Sequence, residues 1–298
     1  ADADGIPDTD DAVTIDSGTT FSPQLSAPEA IGSLSGSIGT PATIDLQSFT
    51  LTVGALNSDT DYGGHIVGSG GITKDGSGTF RLSGSNTYSG ATTINSGILS
   101  TSSSSSNLGD GSVTNSVIFN GGFLRMGGFV SLSTRPFVLQ ADATIQDLGT
   151  NNEIAGVISG AFDLTKAHDG RLTLSAVNTF GGVGHKITLT GGQIIVAADS
   201  GLGATDNEVV FNGGTTLVAT TSFATARSIV LTQSGILDAK DSAVFTIDGV
   251  VSGTGTALGI QSSGTGAGTV FLTNGSNFYT GVTNVTDRKS TRLNSSHT

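Results

Sequence analysis

A segment that occurs three times constrains this chain more than any other feature. The first copy, Gly68 to Gly90, reads G-S-G-G-I-T-K-D-G-S-G-T-F-R-L-S-G-S-N-T-Y-S-G. The second, Gly160 to Gly182, keeps T-K, G-R-L-T-L-S and N-T-F-G-G, and the third, Gly264 to Gly281, keeps G-T-V-F-L-T-N-G and N-F-Y-T-G. Lys74 maps onto Lys166, Asn86 onto Asn178, and Asn120-Gly121-Gly122 onto Asn212-Gly213-Gly214, each by 92 residues on subtracting positions. Asn277 follows Asn178 by 99, so the third copy carries an insertion. Units repeated in this way stack, because each buries its apolar face only against its neighbours.

The local pattern within a copy is that of a strand. In Gly78-Thr79-Phe80-Arg81-Leu82-Ser83-Gly84, Phe80 and Leu82 face one side, and Thr79, Arg81 and Ser83 the other. Leu172/Leu174 and Val270/Leu272 repeat this period of two, which means one buried face. Glycines at both ends of the stretch predict positive φ and sharp corners. Apolar residues at helical spacing do not extend over any long stretch. The reading is an all-β, elongated β-solenoid. Its 92-residue unit spans about four coils of roughly 22 residues, giving about 12 coils and a length on the order of 60 Å at about 4.8 Å per rung.

Composition narrows the function classes. Gly supplies 45 of 298 residues, roughly twice the usual share. A Gly, Ser and Thr-rich tract would read as disordered without the alternating Val, Ile, Leu and Phe between the glycines. With 24 acidic and 12 basic residues the net charge is −12. That charge argues against nucleic acid and anionic lipid as partners, and it keeps strand edges of separate chains apart. There is no Cys; a stacked solenoid does without disulfides, and their absence suits a chain threaded unfolded through an outer membrane. No signal peptide, no membrane-spanning apolar run and no initiator Met are seen, so a processed precursor or a fragment is expected.

Residues 1–50 read as an N-terminal segment with the first coils. Gly5-Ile6-Pro7-Asp8 is turn chemistry, Ala12-Val13-Thr14-Ile15 a strand, and Ala42-Thr43-Ile44-Asp45-Leu46 a second alternating run. Residues 51–286 carry the repeats, at about 68–99, 160–196 and 253–286. Residues 287–298, D-R-K-S-T-R-L-N-S-S-H-T, break the pattern and match a translation frame of a sequencing-library adapter. This tail is expected to be non-native and disordered, with the gene truncated there.

The shared pattern G-x-G-x-[apolar]-x-L-[ST]-x-x-N-x-[YF]-x-G resembles the passenger-associated, or autotransporter-associated, β-strand repeat of bacterial surface proteins. The matching residues are Gly76, Gly78, Phe80, Leu82, Asn86, Tyr88 and Gly90, then Thr92, Ile94, Gly97 and Leu99; Gly170, Leu172, Leu174, Asn178, Phe180 and Gly182; and Gly266, Gly268, Val270, Leu272, Asn277, Tyr279 and Gly281. Leu108-Gly109-Asp110-Gly111 has the same character, and the resemblance covers roughly residues 45–286. It implies a right-handed parallel β-helix, held outside the outer membrane by a C-terminal β-barrel translocator, with a repeat that assists export and folding. No stretch here has the strand pattern of such a barrel, which is expected in the full-length protein.

The candidate chemical sites each meet a structural alternative. Ile15-Asp16-Ser17-Gly18-Thr19-Thr20 resembles an aspartic-protease loop, but that chemistry needs two such loops, and Asp199-Ser200-Gly201-Leu202 lacks the following hydroxyl residue. A strand-end turn is expected. Asp2, Asp4, Asp8 and Asp10 alternate as hard oxygen ligands for Ca²⁺ would, resembling part of a thrombospondin-type calcium repeat; the reading preferred is a solvated acidic approach. Gly181-Gly182-Val183-Gly184-His185-Lys186-Ile187 has a cation where a calcium nonapeptide has its ligand Asp. His65, His168, His185 and His297 are scattered, without zinc spacing. Asn86, Asn178 and Asn277 are expected at corners, in the left-handed region, bonding their own backbone. Tyr88, Phe180 and Tyr279 are expected as packed rings. No catalytic, cofactor or metal residue is assigned.

The function expected is a non-enzymatic passenger segment, a structural stalk or adhesin scaffold at the bacterial cell surface that aids its own export and folding. Its expected partners are host or neighbouring-cell surfaces, or matrix glycans and proteins, and the chain is expected to be a monomer. A β-helical polysaccharide-active enzyme fragment and a Ca²⁺-dependent matrix protein stay open as alternatives.

Overall fold

A computed structural model describes residues 7–15, 24–36, 42–102, 105–128, 131–132, 135–149, 151–254 and 257–286, with the side chains of 105–106 excepted. The tail from 287 to 298 lies outside the described residues. Short strands pair in parallel, each with the strand about one coil away. Leu51 lies opposite Ile72, 21 residues on, Thr79 opposite Ile98, 19 on, and Ser252 opposite Phe278, 26 on. This is a parallel β-solenoid with coils near the length expected from the sequence. The chain divides into two compact units, Ala1–Val157 and Ile158–Thr298.

In the first unit one sheet stacks Glu29–Ile31, Leu51–Val53, Ile72–Lys74, Thr92–Ile94, Val117–Phe119 and Phe137–Leu139. A second stacks Thr60–Tyr62, Thr79–Leu82, Ile98–Thr101, Phe123–Met126 and Ala143–Asp147. Inward side chains form columns. Phe80, Leu99, Leu124 and Ile145 lie in register and are all buried. Each buried aliphatic side chain contributes about 1.5–3 kcal/mol relative to exposure.

The second unit is three-sided. Its first sheet runs Leu164–Ala167, Lys186–Leu189, Glu208–Phe211, Ile229–Leu231, Val251–Gly253 and Phe278–Tyr279. The second sheet runs Arg171–Leu174, Gln193–Val196, Thr215–Ala219, Gly235–Ala239, Leu258–Gln261 and Thr283–Thr286, and the third runs Phe223–Thr225, Val244–Ile247 and Thr269–Leu272. Phe223 and Phe245 pack on the third side with ring centroids 4.8 Å apart and planes tilted by 48°. The second repeat copy begins on the first side, at Leu164–Ala167; the corresponding strand of the third copy, Leu258–Gln261, lies on the second. The interval between these copies is therefore four rungs and one further side, where the sequence suggested about four coils.

The glycines do two different jobs. Gly76 (φ 69°) takes the left-handed conformation expected of a corner, and a Cβ there would meet Gly54 O at 1.9 Å. Gly78 and Gly84, for which positive φ was expected, lie outside that region. They are glycine because a Cβ would meet the preceding coil's carbonyls, Ser58 O at 2.4 Å and Gly64 O at 1.8 Å.

Candidate functional site

Polar side chains that cross from coil to coil are the most specific feature of the interior. Asn86 Oδ1 accepts from Ile66 N at 2.8 Å, and its Nδ2 donates to Asn107 O at 2.6 Å. Asn178 repeats this with Ile158 N (2.9 Å) and Gly201 O (2.8 Å), and Asn277 Oδ1 accepts from Val251 N at 2.8 Å. In the first two copies one amide thus joins the coil before to the coil after, where the strand ladder is interrupted by a loop. The structural role expected for these residues holds, but its mechanism is corrected. None has a positive φ, and the partners lie a coil away because the stacked backbones, not the residue's own, leave a donor and an acceptor unpaired.

Lys74 points into the core in line with Val53 and Ile94. Its ammonium turns to the corner and donates to Asp75 O (2.5 Å) and Gly76 O (2.8 Å), with Ser96 O at 3.4 Å. Lys166 donates to His168 O (2.5 Å), Gly170 O (2.6 Å) and Gly191 O (2.9 Å). Both lysines are buried, and burial holds the Lys74 ammonium below the usual lysine range. His168 takes the position that Gly76 has in the first copy and keeps its left-handed φ, at 65°.

A second set repeats at the same interval. Asn115 Nδ2 donates to Tyr88 O (3.3 Å) and Gly90 O (2.8 Å), and its Oδ1 accepts from Gly111 N (3.1 Å). Asn207, 92 residues on, donates to Phe180 O (3.0 Å) and accepts from Gly182 N (2.7 Å). Arg135 donates to Asn115 Oδ1 at 2.6 Å and Leu108 O at 2.5 Å. Arg227, again 92 on, donates to Gly203 O (2.8 Å), to Ala204 O and to both carboxylate oxygens of Asp199 (2.7 and 3.1 Å). Sequence reasoning missed these four residues, although their shared offset of 92 from one another was readable.

The aromatic positions pack as expected in two copies. Tyr88 and Phe180 are fully buried. Burial pushes the Tyr88 phenol up to about 12, and its hydroxyl pairs with Thr92 Oγ1 at 2.7 Å. In the second copy both hydroxyls are gone together, Phe180 replacing Tyr and Gly184 replacing Thr. Tyr279 keeps the pair with Thr283 (2.6 Å) but is only half-buried.

The other candidates are placed as follows. Asp2, Asp4, the Asp16–Thr20 loop and His297 lie outside the described residues. Asp199 opens a one-turn 3-10 helix and its carboxylate is engaged by Arg227. Asp8, Asp10 and Asp11 gather with carboxylate oxygens within 4.8 Å of one another; hydrogen bonds join them locally, from Asp10 N to Asp8 Oδ1 (3.1 Å) and from Asp8 N to Asp11 Oδ2 (3.2 Å). The Asp8 carboxylate holds Asp10 above its ordinary value. These three offer hard oxygen ligands of the kind Ca²⁺ takes. His185 and Lys186 both meet Asp163, at 2.9 and 3.6 Å. His65 Nδ1 lies 2.5 Å from Ser85 O. On the outside, Asp59 Oδ1 accepts from Thr79 N (2.7 Å) and Asp241 Oδ1 from Thr265 N (2.8 Å), which lowers both carboxyls.

Comparison with known proteins agrees with this geometry. The family model of the passenger-associated-transport-repeat matches residues 72–100, 164–196 and 265–287. The chain is 36% identical over 161 residues to a protein named adhesin BmaC autotransporter, of Brucella suis biovar 1 (strain 1330). That match takes in 50% of this chain and 5% of the relative, so the chain spans about one-twentieth of the relative's length. No solved structure matches. Three segments of the chain thus match this repeat, and Lys74, Asn86, Lys166 and Asn178 fall inside the first two matches.

Proposed function

We propose that this chain is a non-enzymatic β-helical passenger segment of a bacterial surface autotransporter, serving as a stalk or adhesin scaffold and aiding its own export and folding. The observation that carries this reading is the identity of the residues that make the repeat recognisable. Asn86, Tyr88, Asn178 and Phe180 are motif positions, and the two amides fasten a coil to both of its neighbours. A chain that leaves a membrane from one end completes such contacts coil by coil, each new coil adding to a formed edge. The absence of Cys removes premature cross-links from that route. No helix among the described residues is long and apolar enough to cross a membrane. Anchoring at the outer membrane belongs, in this reading, to a barrel in the full-length protein. The adhesin role follows the relative's name, with cell surfaces, matrix proteins or glycans as the partner class.

The test is surface display. The chain, fused between a signal peptide and a translocator barrel in a Gram-negative host, becomes protease-accessible on intact cells and raises their adherence to immobilised matrix or cell layers. Asn86→Ala with Asn178→Ala lowers the displayed amount severalfold at equal expression. Adherence no higher than that of the barrel alone, or turnover of a polysaccharide by the purified chain, would overturn the reading.

A further inference from the structure

The second unit has a hollow at the corner between its first two sides. Successive rungs pass this corner at Gly214, Ser234, Ala257 and Gly281, leaving a volume of ≈ 580 Å³. An adjoining hollow of ≈ 290 Å³ shares Gly214, Ser234 and Ala257 and continues over the outward side of the second sheet. There Ile236, Gly259 and Asn284 lie in register on three consecutive rungs. Gly259 makes the floor: a Cβ at that position would come 2.9 Å from Ile236 Cγ1. Ile236 and Asn284 stand on either side of the gap.

The lining is neutral. Among the described residues, none bordering either hollow carries a charge, in a chain with 24 acidic residues. What borders them is exposed amide and hydroxyl, from Gln233, Ser234 and Asn284, set against aliphatic surface from Ile236 and Val282. Phe278, 68% exposed, precedes the lining residue Thr280 by two positions on the same rung. An amide donates and accepts side by side, the pattern that adjacent sugar hydroxyls require. Aliphatic and aromatic faces take the C–H side of a sugar ring. Ionic ligands find no counter-charge here.

We propose that this groove binds an uncharged oligosaccharide. The proposal builds on the surface-passenger reading, whose partner class it narrows to uncharged glycans and to which it adds the place where that partner sits. The test titrates the purified chain with cellohexaose, mannohexaose and maltohexaose, and with a hyaluronan hexasaccharide as the anionic control. At least one neutral hexasaccharide binds, and the hyaluronan fragment does not. Asn284→Asp and Ser234→Arg, both at exposed positions, weaken the binding at least tenfold with unchanged thermal unfolding, while Arg81→Ala, in the other unit, leaves it unchanged. The absence of binding by all three neutral probes, equal binding of hyaluronan, or undiminished affinity in both groove variants each overturns the proposal. If the chain is displayed and adheres but binds none of the three sugars, the groove inference fails and the passenger reading stands. If sugar binding is found without display, the passenger reading fails instead.

Discussion

Lys166 and Asn178 in the second repeat copy, like Lys74 and Asn86 in the first, are buried and bonded across coils, whereas the third copy replaces or exposes each of these features. The third copy contains no lysine, its Asn277 is half-buried, and beside Asn277 stands Phe278 at 68% exposure. Yet the apolar column is intact in all three, with Val270 and Leu272 buried like Leu172 and Leu174, though a little less completely. The third copy thus keeps its coil with no buried lysine and with Asn277 accepting from Val251 N at 2.8 Å. The polar clamps add register and rigidity where a loop interrupts the ladder, and the copies differ in how much of that they have.

Four experiments probe this contrast, beginning with the largest effect. Lys166→Met leaves three carbonyls of the second copy without their donor and lowers unfolding stability by about 4 kcal/mol in urea titration. A loss under 1 kcal/mol would show that the ammonium is incidental. Asn178→Ala strands Ile158 N and Gly201 O and costs about 3 kcal/mol, against about 1 kcal/mol for Asn277→Ala. Equal losses would erase the difference between the copies. His168→Gly relieves a left-handed non-glycine residue and raises stability by up to about 1 kcal/mol, whereas Gly76→Ala at the matching corner meets Gly54 O and destabilises.

The smallest effect is one the copies share. Asp59 serves the first copy and Asp241 the third, both lowered chiefly by the backbone hydrogen bonds they accept, from Thr79 and Thr265. Because the folded-state value lies below the unfolded 3.8, their stabilisation is complete above that value and is lost as pH falls through the lowered one. Melting temperature from about pH 5 to about pH 2 declines less steeply in Asp59→Asn and Asp241→Asn than in the parent. A parallel decline in all three proteins would remove these carboxylates from the account.

Much of the fold was legible because burial in a strand alternates, and Phe80, Leu82, Leu172 and Leu174 print that alternation directly. The polar interior was harder to read. An Asn in a Gly-rich run looks like a corner residue, and only the backbone stacked above and below Asn86 shows where its amide goes. Arg135, Arg227, Asn115 and Asn207 sit in stretches without a named motif, so their function rested on noticing equal spacing between residues that look solvent-facing. Gly78 and Gly84 were assigned to turning when they serve close approach, since sequence does not distinguish the two uses. The groove at Gly214 and Gly259 left no mark at all, being made by missing side chains on rungs that the sequence holds more than 20 residues apart.

The step of four rungs and one side between the second and third copies has a consequence for recognition. Duplicating a segment usually multiplies a binding epitope along one line, where a long ligand gains avidity by gripping several at once. Here the duplicated residues come round on adjacent sides of the second unit, so a straight ligand lying along one side meets only one of the two. Repetition of this motif therefore lengthens the solenoid without lining up the second and third copies on one side.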